Sequence, residues 1–128
     1  MDPILHLALP VSDLESARAF YIETLGCTQG QQVDVGMDVW FYGLQLNLQA
    51  RPEQVLPEDE QGCRHFGVTL DSANLSDLLN RLQGLPVRWI NPPAVGIRGK
   101  TSVKIADPSG NIIELKSYPD VGEALHPS

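Results

Sequence analysis

The stretch Ile4-Leu5-His6-Leu7-Ala8-Leu9 decides the fold, because its pattern returns later in the chain as Arg64-His65-Phe66-Gly67-Val68-Thr69-Leu70. Each stretch places a histidine within a short apolar run, and each is followed by a polar turn and an amphipathic segment. Alternation of side-chain character over such a length is typical of a half-buried strand. The chain is therefore predicted to contain two copies of one strand-then-helix unit.

Each of these strands is followed by a segment with helical spacing. After the first strand, a capping box of Ser12 and Glu15 predicts a helix that begins at Ser12 and ends at Gly26. After the second strand, four leucines recur at helical intervals: Leu75, Leu78, Leu79 and Leu82. Three short strand segments then follow in each half; those of the first half alternate in character, and Gly36 and Gly43 mark the turns between them. We predict these strands at 31–35, 37–42 and 44–49, and near 87–90, 101–106 and 111–118.

Together the two halves predict an α+β fold built from two paired βαβββ modules. Module one is expected at residues 4–50 and module two at residues 64–118, with an acidic, proline-containing linker at 51–63 and a tail at 119–128. Alternating strands place their apolar side chains on one face, where the helices can cover them. We therefore expect a curved mixed sheet that forms a cup, with the helices on its outer face, in a single domain spanning residues 1–128.

Glycine spacing predicts how the two halves correspond. Gly43 precedes Asn47 by four residues, and Gly110 precedes Glu114 by four. Each glycine opens the last strand of its half, so Asn47 and Glu114 are expected at equivalent positions, as are the two strand histidines. Strand alternation assigns all four residues to the polar face of the sheet.

The polar face therefore gathers two imidazoles and one carboxylate, from His6, His65 and Glu114. A single histidine or glutamate on a strand is more commonly a solvated or hydrogen-bonded residue than a ligand. Their coincidence on one face favours a mononuclear metal site, because two histidines and one carboxylate form a known ligand set with open positions. Such a set suits Fe2+ or Mn2+, and Zn2+, Ni2+ or Co2+ are possible. A substrate would bind the metal through two adjacent oxygens.

Five further side chains are predicted to contact a substrate. Gln45 and Asn47 share the polar face of their strand, where they would hydrogen-bond a substrate or a ligating histidine. Lys104 is assigned to the same face and would either neutralise an anionic substrate or remain a solvated lysine. Tyr42 would either wall the cup or simply pack against its neighbours. Arg98 lies in a glycine-rich, basic segment that would be either a flap over the site or an ordinary loop.

Composition limits the class of protein. The chain has 128 residues, of which 42% are apolar and 20% charged, as in an ordinary globular domain. It has no apolar run near the roughly 20 residues that span a bilayer, and its start at Met1-Asp2-Pro3 lacks the features of a secretion signal, so a cytoplasmic location is expected. The net charge of −7, without a basic run, makes neither nucleic acid nor an anionic membrane an expected partner. Cys27 and Cys63 are expected to be reduced.

Three stretches carry a family resemblance: His6-Leu7-Ala8-Leu9-Pro10-Val11-Ser12-Asp13-Leu14, His65-Phe66-Gly67-Val68 and Asp107-Pro108-Ser109-Gly110-Asn111-Ile112-Ile113-Glu114-Leu115. In this order they resemble the vicinal oxygen chelate superfamily, which includes glyoxalase I, fosfomycin-resistance proteins, extradiol dioxygenases and bleomycin-resistance proteins. The resemblance implies a divalent metal ion held by His6, His65 and Glu114. It also implies a metal-dependent lyase or dioxygenase that acts on a small molecule, in a homodimer whose site lies within one chain or across two.

The chain departs from individual members of this family. Glyoxalase I commonly has a second glutamate where this chain has Asn47, and an amide cannot act as a base. Fosfomycin-resistance enzymes tend to have a threonine where this chain has Ala8, and extradiol dioxygenases use an extra histidine that this chain does not offer. The alternative is a metal-free binding protein of the bleomycin-resistance type, although such proteins usually lack the ligand triad.

Overall fold

Each half of the chain folds as one strand, one helical segment and three further strands, as the sequence patterns predict. The computed structural model describes residues 2–96 and 99–120. The first half contains β1 (His6–Val11), α1 (Leu14–Arg18), a π-helical turn (Ala19–Thr24), β2 (Thr28–Val33), β3 (Gly36–Phe41) and β4 (Leu44–Ala50). The second half contains β5 (Phe66–Leu70), α2 (Ser72–Leu82), β6 (Arg88–Val95), β7 (Thr101–Ala106) and β8 (Ile112–Ser117). The linker contains short 3-10 turns at Pro52–Gln54 and Glu58–Glu60.

The two halves form two four-stranded mixed sheets with the same topology. The strand order is β1-β4-β3-β2 in the first sheet and β5-β8-β7-β6 in the second. In each sheet the first strand of the half runs parallel to the fourth, and the other neighbouring strands are antiparallel. This architecture confirms the predicted α+β class and the two βαβββ modules.

Strand pairing also confirms the predicted correspondence between the modules. Asn47 on β4 pairs with Ala8 on β1, and Glu114 on β8 pairs with Gly67 on β5. The histidine of each module lies two residues before the residue that makes this pairing. The two histidines are therefore equivalent positions, and so are Asn47 and Glu114.

Alternation along each fourth strand separates a buried face from a polar face. Leu46 and Leu48 are fully buried on β4, whereas Asn47 between them is half-buried. Ile113 and Leu115 are fully buried on β8 in the same way. Helix α1 packs against β4, and α2 packs against β5 and β8. The helices thus pack against the leucine and isoleucine side of each sheet. Asn47 and Glu114 lie on the opposite, polar side.

Both helices begin at an aspartate cap. The carboxylates of Asp13 and Asp71 accept hydrogen bonds from the backbone N–H three residues on, at 2.8 and 2.7 Å. The predicted start at Ser12 is wrong by one residue, because Asp13 supplies the cap and the backbone N–H of Ser12 donates to Ser109 Oγ. Gly26, with φ of 80°, follows the end of the first helical segment as predicted. Across the described ranges, no helix is both long enough and apolar enough to cross a membrane.

Several predicted strand boundaries differ from the structure. The strand predicted at 31–35 is Thr28–Val33, and the strand predicted near 87–90 extends to Val95 because its pairing with β7 continues to that residue. His65 precedes β5 rather than lying on it, because the sheet pairing begins one residue later. Gly36 belongs to β3, and the turn before that strand contains Asp34, which has φ of 52°. Tyr42 and Gly43, with φ of 49° and 86°, form the turn between β3 and β4. Two successive positive φ angles are typical of a tight type I′ hairpin turn, so Tyr42 does not continue β3.

The chain forms two compact units whose boundary lies at the predicted linker. The first unit extends to Gly62 and includes Asp107–Asn111, and the second contains Cys63–Ala106 and the chain from Ile112 onward. The segment Asp107–Asn111 connects β7 to β8, yet it belongs to the first unit. The assignment of the whole chain to a single domain stays a prediction.

A buried tyrosine and a buried aspartate hold this segment in the first unit. Tyr21 is fully buried, and its hydroxyl donates to Asp107 Oδ2 at 2.8 Å. Asn111 Nδ2 donates to Asp107 Oδ2 at 2.9 Å and to the carbonyl of Pro10 at 3.1 Å. Burial raises the pKa of Tyr21 well above its ordinary value of 10.0. Burial also raises the pKa of Asp107, although its hydrogen bonds oppose that change.

Candidate functional site

The imidazole ring of His65 is oriented by a hydrogen bond to the backbone. Its Nδ1 lies 2.7 Å from the carbonyl oxygen of Cys63. A carbonyl oxygen can only accept, so Nδ1 carries a proton, and in a neutral ring of this tautomer the lone pair lies on Nε2. Histidines that bind metals usually donate their other ring N–H to such an acceptor, which fixes both the tautomer and the ring orientation. His65 is exposed, so Nε2 is available to a ligand.

Glu114 lies at the centre of the second sheet. Its backbone pairs with Gly67 on one side and with Lys104 on the other, and its side chain is only 14% exposed. A Cβ atom added to Gly67 would overlap the carbonyl oxygen of Glu114, so β5 and β8 approach closely because residue 67 is glycine. This close approach brings the end of β5, next to His65, alongside the Glu114 strand.

His65 and Glu114 line one open pocket of about 270 Å³ within the second unit. The remaining lining residues are Phe66, Gly67, Val68, Thr69 and Lys116. Lys116 Nζ lies 3.7 Å from Glu114 Oε1, and the Lys116 side chain is 29% exposed. A lysine at this distance partly neutralises the carboxylate and would compete with a metal ion for it. Lys116 was not predicted as a site residue, although its alternation with Glu114 on β8 places both side chains on one face.

The third predicted ligand, His6, belongs to the first unit. It is exposed at the start of β1, where its backbone pairs with Gln45 on β4. Over residues 2–96 and 99–120, no group of three or more His, Cys, Asp or Glu side chains is gathered closely enough to hold a metal ion. The imidazole of His65 and the carboxylate of Glu114 fit two ligands of the expected set, and the complete triad stays a prediction.

The polar face of the first sheet contains a hydrogen-bonded cluster centred on Asp38. Asp38 Oδ2 accepts from Gln45 Nε2 at 3.1 Å, and Asp38 Oδ1 accepts from Asn47 Nδ2 at 2.9 Å. Gln49 Nε2 donates in turn to Asn47 Oδ1 at 2.8 Å. The two predicted amides are thus brought together by an acid that the sequence analysis missed. The sequence does place Asp38 on the polar face, because it alternates with the apolar side chains of β3, and the structure pairs it with Asn47.

The other predicted substrate contacts lie at separate places. Tyr42 lines a smaller pocket of about 150 Å³ in the first unit, together with Leu25, Gly26, Cys27, Thr28 and Trp40. Lys104 is half-buried on β7 and pairs with Glu114, so it shares the face of that carboxylate. Arg98 lies outside the described residues. These contacts stay predictions.

Comparisons with known proteins identify the family to which this chain belongs. A family model described as the Glyoxalase/Bleomycin resistance protein/Dioxygenase superfamily matches residues 3–115. The chain is 26% identical to a glyoxalase/bleomycin resistance protein/dioxygenase from Alicyclobacillus acidocaldarius, with a TM-score of 0.84 and 93% of each chain covered. No curated protein matches the chain.

Two further solved structures share the fold at lower identity. The fosfomycin resistance protein FosX from Listeria monocytogenes is 18% identical, with a TM-score of 0.76 and coverage of 91% of this chain and 93% of FosX. A lactoylglutathione lyase from Agrobacterium tumefaciens is 20% identical, with a TM-score of 0.68 and coverage of 91% and 94%. On the family match and the shared βαβββ architecture, this chain belongs to the glyoxalase/bleomycin resistance protein/dioxygenase superfamily.

Proposed function

We propose that this protein is a metal-dependent enzyme of the glyoxalase or dioxygenase type. Its divalent metal would be held by His6, His65 and Glu114, with Fe2+ or Mn2+ favoured over Zn2+, Ni2+ and Co2+. Its substrate would be a small molecule that chelates the metal through two adjacent oxygens. Family membership supports this class of chemistry, and the reaction type and the substrate belong to the proposal.

The observation that carries the proposal is the state of His65 beside Glu114. The Nδ1 proton of His65 is engaged by the Cys63 carbonyl, which leaves Nε2 as a donor atom for a metal. Glu114 contributes a largely buried carboxylate to the same pocket. The pocket thus offers an oriented imidazole and a mostly shielded carboxylate, which are two of the ligand types used by mononuclear metal sites.

The side chains around this pocket suggest how a substrate would be bound. A metal ion bound there would act as a Lewis acid and stabilise negative charge that develops on a substrate oxygen. Lys104 lies on the neighbouring strand beside Glu114, and Lys116 lies in the pocket itself. Their ammonium groups would attract an anionic substrate and orient its charged oxygens. The Cys63 carbonyl would hold the His65 ring still while the substrate binds.

The direct test is the metal content of protein purified without chelator. We expect about one metal ion per chain in the wild type, and loss of that metal in His65→Ala and Glu114→Gln. His126→Ala is the matched control, because it removes the remaining histidine of the chain without touching the proposed ligands. Metal retained by His65→Ala at the wild-type level would contradict the proposal.

A metal-free binding protein is the second candidate. Its support is the Glu114–Lys116 ion pair, which already gives the carboxylate a cationic partner at 3.7 Å. If the wild type and both ligand variants contain no metal after growth with added Mn2+ or Fe2+, the binding protein is favoured. If metal is present, a small-molecule screen with and without oxygen separates a dioxygenase, which consumes oxygen, from a lyase.

We also propose that the protein is a cytoplasmic homodimer. Each sheet ends in strands that pair on only one side, and such edges are readily covered by a second copy. Light scattering on the purified protein tests the dimer, and a mass corresponding to one chain at micromolar concentration would contradict it.

A further inference from the structure

The polar face of the first sheet contains a chain of hydrogen bonds whose direction is set at both ends. At one end Arg51 has only donors, and its Nε donates to Gln49 Oε1 at 3.0 Å. At the other end Asp38 has only acceptors, and it receives the amide groups of Gln45 and Asn47. The Gln49–Asn47 bond connects the two ends. Reversing any of these amides would oppose two donors or two acceptors, so the chain has one arrangement.

This arrangement leaves an acceptor on the sheet surface. Because Asp38 takes the NH2 group of Gln45, the Gln45 carbonyl oxygen Oε1 must face away from that carboxylate. Oε1 receives no hydrogen bond from any residue that the structure describes. A ligand that approaches here therefore meets a carbonyl oxygen next to a carboxylate. Both groups favour a ligand that brings hydrogen-bond donors and positive charge.

An aromatic pocket is lined by Trp40, which is the cross-strand neighbour of Gln45. Trp40 pairs with Gln45 across β3 and β4, so the two side chains share a face, and Trp40 is 38% exposed. Trp40 and Tyr42 line the pocket of about 150 Å³, which has space for roughly five water molecules. Aromatic rings attract cations through their negatively charged faces. A six-membered ring with a short amine side chain matches this volume and this chemistry.

We propose that the first module binds the ammonium-bearing, ring-sized end of a small molecule, with Asp38 as the residue that sets this preference. Asp38 acts in two ways, since it orients the Gln45 amide and supplies the negative charge that a cation requires. The inference goes beyond the proposed function and does not depend on its metal site. Binding of the ammonium end itself needs no metal.

The test is an NMR titration of the full chain with three probes in the presence of EDTA. The probes are phenethylamine, 2-phenylethanol and 3-phenylpropionate, which present a ring with a cationic, a neutral or an anionic end. We expect phenethylamine to bind with a dissociation constant on the order of 1 mM, about tenfold more tightly than 3-phenylpropionate. Shifts should centre on the Trp40 indole N–H and the Gln45 side-chain amide.

Matched variants separate the position of Asp38 from its charge. Asp38→Asn should reduce the preference for phenethylamine about fivefold or more, because one amide must turn and the charge is lost. Asp34→Asn removes the same charge from the neighbouring turn of the same module, at a backbone conformation that asparagine tolerates, and should leave the preference unchanged. If Asp38→Asn does not fold, Gln45→Met keeps the Asp38 charge but removes the whole Gln45 amide, both its acceptor and its bond to Asp38, and should weaken phenethylamine binding about threefold.

Three results would overturn the inference. They are equal binding of the cationic and anionic probes, equal effects of Asp34→Asn and Asp38→Asn, and no shift at Trp40 or Gln45 up to the solubility limit of phenethylamine. Because EDTA is present throughout, a missing metal site cannot produce any of these results. Loss of metal binding in the His65→Ala experiment would likewise leave this titration unaffected, so the two proposals fail separately.

Discussion

The two modules share a topology and a register but carry different charges at the centre of their polar faces. In the first module the acid Asp38 lies on β3 opposite the amide of Asn47. In the second the ammonium of Lys104 lies on β7 opposite the acid Glu114. The acid therefore lies on the third strand of the first module but on the fourth strand of the second module. In the second module a lysine occupies the position on the third strand. The repeated backbone supplies equivalent positions, and the side chains divide the chemistry between them.

A second difference concerns how closely the strands approach. The residue opposite Asn47 is Ala8, whereas the residue opposite Glu114 is Gly67. A Cβ atom at Gly67 would overlap the backbone of the neighbouring strand, whereas Ala8 already carries one at the equivalent position. Equivalent positions can therefore differ in how well they tolerate a larger side chain, even where the sheet topology is identical.

The largest expected effect is that of Gly67→Ala. The new methyl group would collide with the Glu114 carbonyl, and a backbone atom cannot move aside as a flexible side chain can. We expect a loss of about 3 kcal/mol or more in the free energy of unfolding, measured by urea denaturation. Ala8→Gly is the matched change in the first module and should cost about 1 kcal/mol or less. Equally small losses would show that β5 and β8 can separate freely.

The next-largest effect is expected in the first helical segment. The residue eight positions after the aspartate cap differs between the two modules. The first has Tyr21 and the second has Leu79 at this distance. Tyr21→Phe removes the hydroxyl that donates to Asp107 and should lower the free energy of unfolding by about 1–2 kcal/mol.

Tyr21→Phe should also change how the free energy of unfolding depends on pH. The folded protein raises the pKa of Tyr21 above its unfolded value, so the stability of the protonated hydroxyl is present below about pH 10 and is lost as pH rises further. Urea denaturation between about pH 9 and pH 11 should therefore show a steeper decline in the wild type than in Tyr21→Phe. Parallel declines would mean that Tyr21 ionises without opposing the fold.

The helix caps provide a comparison in which the modules should agree. Asp13 and Asp71 accept bonds of nearly equal length from their first turns, 2.8 and 2.7 Å. We expect Asp13→Ala and Asp71→Ala each to cost about 1 kcal/mol in the free energy of unfolding. A much larger loss at Asp13 would indicate that the π-helical turn after α1 depends on this cap.

The smallest effect distinguishes the two lysines near Glu114. Lys116 lies within ion-pair distance of that carboxylate, and its removal in Lys116→Met should free the carboxylate for metal. We expect Mn2+ to bind up to about fivefold more tightly by calorimetry, as suits a partly exposed ion pair. Lys104→Met is the control on the neighbouring strand, and a smaller change is expected there. No increase in Lys116→Met would show that the ion pair does not compete with metal.

The repeat, the strand faces and the α+β class could be predicted because alternation and helical spacing are local patterns. The register between modules followed from two glycines, and strand pairing confirmed it through Asn47 and Glu114. The start of α1 was missed by one residue because Ser12 and Asp13 are both good caps. The contact that decides between them, from Ser12 to Ser109, joins distant parts of the chain.

The candidate site was predicted less completely for the same physical reason. Alternation assigned Gln45 and Asn47 to the polar face, but only strand pairing shows that Asp38 receives both amides. The bond from His65 to Cys63 joins residues two apart in the chain, yet it depends on His65 lying before the strand rather than on it. Spacing in the sequence identifies candidates, and long-range pairing decides which of them meet.

The segment Asp107–Asn111 has a consequence for synthesis of the chain on the ribosome. The acceptor for the Tyr21 hydroxyl emerges only after β7, since Asp107 follows that strand directly. Until then a nascent first half holds a donor that its own residues do not satisfy, and burying that donor early would carry a free-energy cost. A gene fragment that stops at Gly62 lacks this acceptor altogether, so its Tyr21 hydroxyl would have to remain hydrated rather than buried.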